Sequence, residues 1–240
     1  MDAVEEDDIL WERQRASGIP AVSRWAVWEN LTTDANNNLE ILKLQQWHPS
    51  QGSIWIEGPV GSGKTTLVSA LANSFLRRPM TMTEVMLDDN NEVVATAADG
   101  STFNPPMQRR EKTDAGMLTL AVKLSERVTF RFVDEPEFYR DSRAFERHGR
   151  RLDLVDPVKS ACNCSVLVID DFGKICDGKR DVDIMRTMMR RRHSTGKPIV
   201  VTTNRRISDL DDDFGESLVS RLLEMCTLRL TLKGRDRRLA

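Results

Sequence analysis

The chain has 240 residues, a length that suits one α/β domain with short extensions and a core that needs no disulfide or metal. Its 35 basic and 37 acidic residues give a net charge of −2, which excludes a global attraction to nucleic acid and leaves only local basic patches. No apolar run reaches membrane-spanning length and the acidic N-terminus lacks the order of a signal peptide, so we expect a cytoplasmic protein without membrane contact. The cysteines lack zinc-ligand spacing and are expected to be reduced thiols; they are Cys162, Cys164, Cys176 and Cys226.

Residues 1–50 are expected to form an N-terminal segment that carries partner-binding and adenine-side elements, ahead of a main domain at residues 51–240. A short helix is predicted from Ile9 to Arg15 and another from Asn38 to Trp47, with a turn at residues 18–20 between them. The tryptophans all lie before residue 58 and are Trp11, Trp25, Trp28, Trp47 and Trp55. We interpret them as packing residues, with the alternative that one of them lines an adenine pocket.

The segment Gly-Pro-Val-Gly-Ser-Gly-Lys-Thr at residues 58–65 fits the phosphate-binding pattern G-x-x-x-x-G-K-[ST] at every fixed position. A strand predicted at residues 53–57 and a helix predicted from Thr66 would aim backbone N–H groups and a helix N-terminus at a phosphate. Lys64 should reach the β- and γ-phosphates, and the Thr65 hydroxyl should bind Mg²⁺. A chance glycine-rich turn is the alternative, which the flanking strand and helix disfavour. The predicted nucleotide-binding residues here are Gly58, Pro59, Val60, Gly61, Ser62, Gly63, Lys64, Thr65 and Thr66.

A polar stretch at residues 81–112 interrupts the domain and is interpreted as an insertion. Residues 84–87 and 92–96, joined by an Asn-rich turn, predict a β-hairpin. The charged loop that follows is either functional or merely flexible. A helix is predicted after it, from Asp114 to Glu126.

Strands and helices alternate through the rest of the chain. Strands are predicted at residues 128–133, 166–169, 199–202 and 228–232, and helices at residues 136–151, 181–192 and 216–225. The apolar run Val166–Ile169 has the character of a strand buried on both faces of a parallel sheet. The alternation predicts an α/β fold with a mostly parallel sheet and helices on both faces.

Polar residues follow two of the predicted strands. Asp170 and Asp171 come directly after the buried strand, at the sheet edge where α/β proteins bind ligands. Because the pair follows a phosphate loop by about 100 residues, Asp170 is suited to hold Mg²⁺. Asp171 is suited to orient or deprotonate the attacking water. Asn204 could bond that water or a γ-phosphate oxygen, and Arg221 could stabilise transition-state charge from a neighbouring subunit. Taken singly, Asn204 is better explained as an ordinary strand exit and Arg221 as a surface ion-pair partner.

In their order and spacing these motifs resemble the AAA+ ATPases, specifically the helicase-loader branch of DnaC-like and IstB-like proteins. The similar segments are the Walker A loop at residues 58–65, Walker B at residues 168–173, the sensor-1 strand at residues 196–204, the arginine-finger helix around Arg221, and a sensor-2 region in which Arg238 is the closer match and Arg237 the alternate. The resemblance implies an AAA+ P-loop NTPase fold that uses ATP and Mg²⁺. It assigns Thr65 and Asp170 to the metal, catalytic roles to Lys64, Asp170, Asp171, Asn204 and Arg221, and a cis contact with the nucleotide to Arg238.

The leading hypothesis that follows is an ATPase that loads or remodels a replicative helicase on single-stranded DNA, acting as a ring or spiral in a bacterial or phage-infected cell. The alternative within the same fold is an IstB-like transposition regulator that assembles on duplex DNA and recruits a transposase. A small-molecule phosphotransferase with an arginine-rich lid and a nucleotide-gated scaffold with negligible hydrolysis are the remaining alternatives.

Two arginine-rich clusters are the candidate DNA contacts. They comprise Arg140, Arg143, Arg147, Arg150 and Arg151 in the first, and Arg186, Arg190, Arg191, Arg192 and His193 in the second. Such clusters can follow the phosphates of single-stranded DNA. The alternative is a solvated helix face with favourable charge at a helix C-terminus.

Overall fold

The computed structural model describes residues 3–31, 37–77, 128–148, 155–174 and 178–234, and five short strands between residues 85 and 119. The chain divides into two units, one of Met1–Arg77 with Val128–Ala240 and one of Arg78–Arg127, and each is described by itself. None of the helices in the described part of the chain combines the length and apolar character needed to cross a membrane.

A five-stranded parallel sheet forms the centre of the first unit. Its strands are β1 (Ser53–Glu57), β2 (Phe130–Val133), β3 (Val166–Ile169), β4 (Ile199–Thr203) and β5 (Cys226–Thr231), in the spatial order β5-β1-β4-β3-β2. All four residues of β3 are buried, as expected for a central strand of a parallel sheet covered on both faces. The predicted parallel α/β architecture is therefore confirmed.

Eight α-helices accompany this sheet in the described residues. They are α1 (Ala3–Ser17), α2 (Asn38–Gln45), α3 (Lys64–Leu76), α4 (Glu135–His148), α5 (Pro157–Asn163), α6 (Lys179–Ser194), α7 (Ile207–Phe214) and α8 (Glu216–Met225). Local chemistry explains several boundaries: Asp156 accepts a hydrogen bond from the Lys159 N–H, and Pro157 occupies the first helical position of α5.

Alternate residues of the strands pack into two cores, one on each face of the sheet. Ile54 and Ile56 face a core that includes Phe75 of α3. Trp55, between them in sequence, faces the opposite core with Met185 of α6. This alternation is what places helices on both faces, because successive side chains of a strand point to opposite sides.

The second unit consists of short antiparallel strands. Val85–Leu87 pairs with Val93–Thr96, which confirms the predicted hairpin, and Val93–Thr96 also pairs with Thr102–Phe103. Glu111–Lys112 pairs with Leu118–Thr119. The helix predicted at residues 114–126 is wrong at Leu118–Thr119, because a short apolar run cannot distinguish helix from strand and the partner strand decides. The rest of that predicted helix lies outside the described residues.

Other sequence predictions differ in detail. Helix α7 was not predicted, although Ile207, Leu210 and Phe214 have helical spacing. Helix α1 extends beyond the predicted Ile9–Arg15 in both directions. The described cysteines Cys162, Cys164 and Cys226 are free thiols, whereas Cys176 lies outside the described residues. The division at residue 50 stays a prediction.

Candidate nucleotide-binding and hydrolysis site

The phosphate loop, residues 58–63, leaves the sheet at the carboxyl end of β1 and leads directly into α3. Its first residue is tied to the neighbouring strand, since the Gly58 N–H donates to the Thr203 carbonyl at 3.2 Å. A Cβ at Gly58 would lie 2.8 Å from the Leu232 carbonyl oxygen, so this close approach requires glycine. Gly63, at the N-terminus of α3, has φ +90°, a conformation that residues with a side chain rarely adopt. The loop therefore curls over a helix N-terminus, the arrangement that binds phosphate.

Two buried polar side chains of the loop fit a phosphate. The Lys64 ammonium donates to the carbonyl oxygens of Gly58 and Pro59, at 2.8 Å each, so it lies inside the curve of the loop. Ser62 Oγ is buried and, in the part of the chain that the structure describes, has no hydrogen-bond partner. A buried hydroxyl without a partner is costly, and a phosphate oxygen would satisfy it.

The predicted metal residues Thr65 and Asp170 are in direct contact. The Thr65 hydroxyl donates to one oxygen of the Asp170 carboxylate at 2.7 Å, and the Thr202 hydroxyl donates to the other oxygen at 2.7 Å. Both carboxylate oxygens are thus held in place between the start of α3 and the end of β4. A hydroxyl and a carboxylate beside a phosphate loop are ligands that suit Mg²⁺. Thr202 was not singled out from the sequence, although it lies in the polar exit of a predicted strand.

Asp171 is oriented differently from its neighbour by an unusual backbone conformation. Its φ is +61°, and no other residue with a side chain has a positive φ in the described ranges. The Asp171 N–H donates to Thr202 Oγ1 at 2.8 Å, which fixes the turn. A left-handed residue of this kind costs on the order of 1–2 kcal/mol and is typical of functional sites. The strained turn directs the Asp171 side chain towards the same space as Lys64.

A cavity of about 530 Å³ lies over the loop, a size that suits a nucleotide-sized ligand. Its lining consists of Trp25, Leu31, Asn37, Ile41, Val60, Gly61, Ser62, Gly63, Lys64, Thr65, Thr66, Leu67, Asp171, Lys174, Thr202 and Asn204. The structure thereby brings together the predicted loop residues 60–66, Asp171 and Asn204, whereas Gly58 and Pro59 do not line the cavity. Arg221 is exposed on α8 and does not line this cavity, and Arg237 and Arg238 lie outside the described residues.

Apolar side chains also contribute to the cavity lining. They include Trp25, Leu31 and Ile41, and the Trp25 side chain is 55% exposed. The Trp25 indole N–H donates to the Val22 carbonyl at 2.7 Å, which fixes the orientation of the ring. Trp47 and Trp55 are buried in the two cores, so the packing interpretation is right for them.

A loop beyond the carboxylates supplies functional residues that the sequence analysis missed. Lys174 lines the cavity, and its ammonium is 3.4 Å from Asp171 Oδ2. Glu135, at the start of α4, is buried, and its Oε2 accepts hydrogen bonds from the N–H groups of Gly173 and Lys174 at 2.7 and 3.0 Å. Burial raises the pKa of the Glu135 carboxyl from 4.5 to about 7, against the opposing effect of these hydrogen bonds. The available signal was a glutamate two positions after the strand predicted at residues 128–133.

Two of the three described arginines of the first cluster have acidic partners. Arg140 pairs with Glu137 and Asp141, and Arg143 pairs with Asp181. In the second cluster Arg186 pairs with Asp183. Such pairing weakens the case for these residues as DNA contacts.

The prediction of a DNA contact is wrong for one member of the second cluster. Arg192 is fully buried, and its guanidinium donates to the carbonyl oxygens of Ala161, Cys164, Ser165 and Pro198. Arg147, Arg190, Arg191 and His193 are exposed, whereas Arg150 and Arg151 lie outside the described residues.

Comparison with known proteins agrees with this geometry. A family model described as "ATPase family associated with various cellular activities (AAA)" matches residues 54–226. No curated protein matches the chain significantly. The DnaC helicase loader has a similar structure, with a TM-score of 0.57 and 18% identity over 88% of this chain and 98% of that one.

Two further solved structures are similar. DnaI has a TM-score of 0.60 and 15% identity, covering 94% of this chain and 100% of that one. AMPPCP-bound DnaA from Aquifex aeolicus has a TM-score of 0.55 and 15% identity, covering 89% of this chain and 52% of that one. At these identities the likeness establishes the fold.

Proposed function

Because this chain belongs to the ATPase family associated with various cellular activities, we propose that it is a DNA replication factor that uses ATP to load a replicative helicase. Its family makes it a P-loop ATPase, and the AAA+ fold and family resemblance expected from the motifs are confirmed. The observation that carries the ATPase chemistry is the network of Thr65, Asp170 and Thr202 beside the phosphate loop. The similarity to DnaC and DnaI supports the helicase-loading role.

We assign the triphosphate to the phosphate loop. Lys64 would exchange the carbonyl oxygens of Gly58 and Pro59 for oxygens of the β- and γ-phosphates, while Ser62 and the loop N–H groups donate to the remaining oxygens. Thr65 and Asp170 would hold Mg²⁺, which when bound neutralises charge on the phosphates. The residues present fit this group, because a hydroxyl and a carboxylate already meet at that point.

The hydrolytic roles follow from position. Asp171, turned towards the cavity, would accept a proton from the attacking water or orient it, and Asn204 would bond the water or a γ-phosphate oxygen. Arg221 is exposed on α8, outside the cavity of its own chain, which suits a residue that acts on a neighbouring subunit. We therefore propose self-association into a ring or spiral, with Arg238 acting in cis.

We place the nucleobase against Trp25, which lines the cavity. An indole ring offers a flat face for stacking, and Leu31 and Ile41 are further apolar residues of the same lining. This assignment selects Trp25 among the five tryptophans as the adenine-side residue.

For DNA, we retain the exposed members of the two clusters among the described residues, which are Arg147, Arg190, Arg191 and His193. Single-stranded DNA is the preferred substrate, by analogy with a helicase loader. The rival proposal is an IstB-like regulator on duplex DNA with a transposase partner. We propose that the protein acts in the cytoplasm of a bacterial or phage-infected cell.

The test is steady-state phosphate release by the full chain with Mg²⁺-ATP, alone, with single-stranded DNA, with duplex DNA, and with a replicative helicase. Stimulation by single-stranded DNA together with co-sedimentation with the helicase supports the loader. Filament formation on duplex DNA supports the transposition regulator instead. Negligible turnover under all conditions, despite ATP binding, would leave a nucleotide-gated scaffold and end the proposal of an active loader.

A further inference from the structure

Lys174 is a cation in the nucleotide cavity that none of the roles above uses. It lies three residues after Asp171, and its ammonium is 3.4 Å from the Asp171 carboxylate. The Lys174 side chain is 49% exposed, and it lines the same cavity as Lys64 and Asn204. The Lys174 ammonium therefore has two possible anionic partners, the Asp171 carboxylate and a phosphate bound in the cavity.

The backbone that carries Lys174 is held from both neighbouring strand ends. From the β2 side, the buried Glu135 accepts hydrogen bonds from the Gly173 and Lys174 N–H groups at 2.7 and 3.0 Å. From the β4 side, the Arg205 guanidinium donates to the Gly173 carbonyl at 2.7 Å. Arg205 directly follows Asn204, so the segment that carries Lys174 is tied to the strand end that lines the cavity.

Sterics restrict the same segment further. Gly173 has φ +87°, and a Cβ there would lie 2.3 Å from a Leu210 methyl carbon. A larger residue at this position would adopt a strained φ and would displace the Leu210 side chain. The backbone up to Lys174 is therefore constrained, whereas the Lys174 side chain is half-exposed and can change its partner.

We infer that Lys174 recognises the terminal phosphate of the bound nucleotide. Its ammonium moves from the Asp171 carboxylate to the γ-phosphate, and Asp171 is then able to orient water. This inference rests on the proposed ATPase site. The contact with Asp171 is partly solvent-exposed and therefore weak, whereas a terminal phosphate carries more charge than one carboxylate and would lie in a partly enclosed cavity. The exchange involves no covalent step.

The inference makes Lys174 a specificity residue for triphosphate over diphosphate. ADP lacks the γ-phosphate and would leave the ammonium on Asp171, so the side chain should contribute to binding of ATP and hardly to binding of ADP. Lys64, by contrast, serves the β-phosphate as well and should affect both nucleotides.

The experiment measures dissociation constants of Mg²⁺-AMPPCP and Mg²⁺-ADP for the full chain and for Lys174→Met, by isothermal titration calorimetry. We expect affinity for AMPPCP to fall about tenfold and affinity for ADP to change less than about twofold. Lys174→Arg, which keeps the charge, should retain most of the preference for AMPPCP. Lys159→Met, at an exposed position on α5 outside the cavity lining, is the matched control and should change neither constant.

The outcomes separate this inference from the function on which it rests. If the unsubstituted chain binds neither nucleotide, the proposed ATP site is wrong. If the unsubstituted chain binds both and Lys174→Met leaves the ratio of the two constants unchanged, or weakens both equally, the ATP site stands and the role of Lys174 is wrong.

Discussion

Thr65 and Asp170 are 105 residues apart in the sequence, yet the Thr65 hydroxyl donates a 2.7 Å hydrogen bond to the Asp170 carboxylate. The contact exists because β1 and β3 are parallel strands on either side of β4, so their carboxyl ends reach the same edge of the sheet. It joins the two halves of the candidate site, the phosphate loop and the carboxylate pair, before any ligand is considered. The following predictions test the parts of that site separately.

Replacing Lys64 with Ala should abolish nucleotide binding. The ammonium lies inside the curve of the loop, where two carbonyl oxygens hold it. We expect the affinity for Mg²⁺-ATP to fall by at least about 100-fold, by fluorescence titration with a labelled nucleotide. Lys159→Ala, at an exposed position on α5, is the control, and retained binding in Lys64→Ala would contradict the site.

Asp171→Asn should separate binding from hydrolysis. The substitution keeps the size of the side chain and removes the carboxylate that orients or deprotonates water, so turnover should fall by about 10²-fold or more while ATP affinity stays within a few-fold. Phosphate release and calorimetry on the same preparation measure the two effects. Normal hydrolysis by Asp171→Asn would show that another group activates the water.

Arg221→Ala should leave ATP affinity unchanged and remove DNA-stimulated turnover. Arg221 does not line the cavity of its own chain, so its contribution must come from another subunit. Mixing inactive Arg221→Ala with inactive Lys64→Ala should restore partial activity, because some interfaces then combine an intact loop with an intact arginine. The mixture is measured by phosphate release; no recovery, with each variant still self-associating, would place Arg221 outside the site.

Trp25→Ala should weaken binding of ATP much more than binding of inorganic tripolyphosphate. Stacking on an indole contributes on the order of 1 kcal/mol, so we expect a loss of about five- to tenfold for ATP alone. Competition against a labelled nucleotide measures both ligands. Trp11, which is exposed at the surface and does not line the cavity, provides the control substitution Trp11→Ala. Equal loss of affinity for ATP and tripolyphosphate would show that Trp25 does not contact the nucleobase.

Glu135→Gln should change how stability depends on pH. The folded protein holds the proton more tightly than the unfolded chain, since burial raises the pKa from 4.5 to about 7, so this contribution is complete below pH 4.5 and is lost as pH rises to 7. Relative to Glu135→Gln, the unsubstituted chain should lose up to about 3 kcal/mol of unfolding free energy across that range. Urea denaturation at intervals from pH 4.5 to 8 measures the difference, and parallel curves would contradict the raised pKa.

The sequence by itself determined the phosphate loop, the buried strand with its two carboxylates and the alternation of strands and helices, because each rests on a local pattern of residues. Loop glycines need particular backbone angles, and a strand covered on both faces must be apolar throughout. The bounds of α8 were predicted as the structure has them, Glu216–Met225. Helices α5 and α7 were not predicted, although Asp156 caps the first and three apolar residues of the second have helical spacing.

Tertiary structure alone decided how these local patterns meet. The order of strands placed Thr202 against Asp170. The fold also placed Trp25 in the cavity lining and buried Glu135 against the backbone of the segment that carries Lys174. It also turned Arg192 from a surface candidate into a buried donor to four carbonyl oxygens. These contacts could not be predicted from the sequence, because burial and long-range hydrogen bonds depend on which distant segments the sheet brings together.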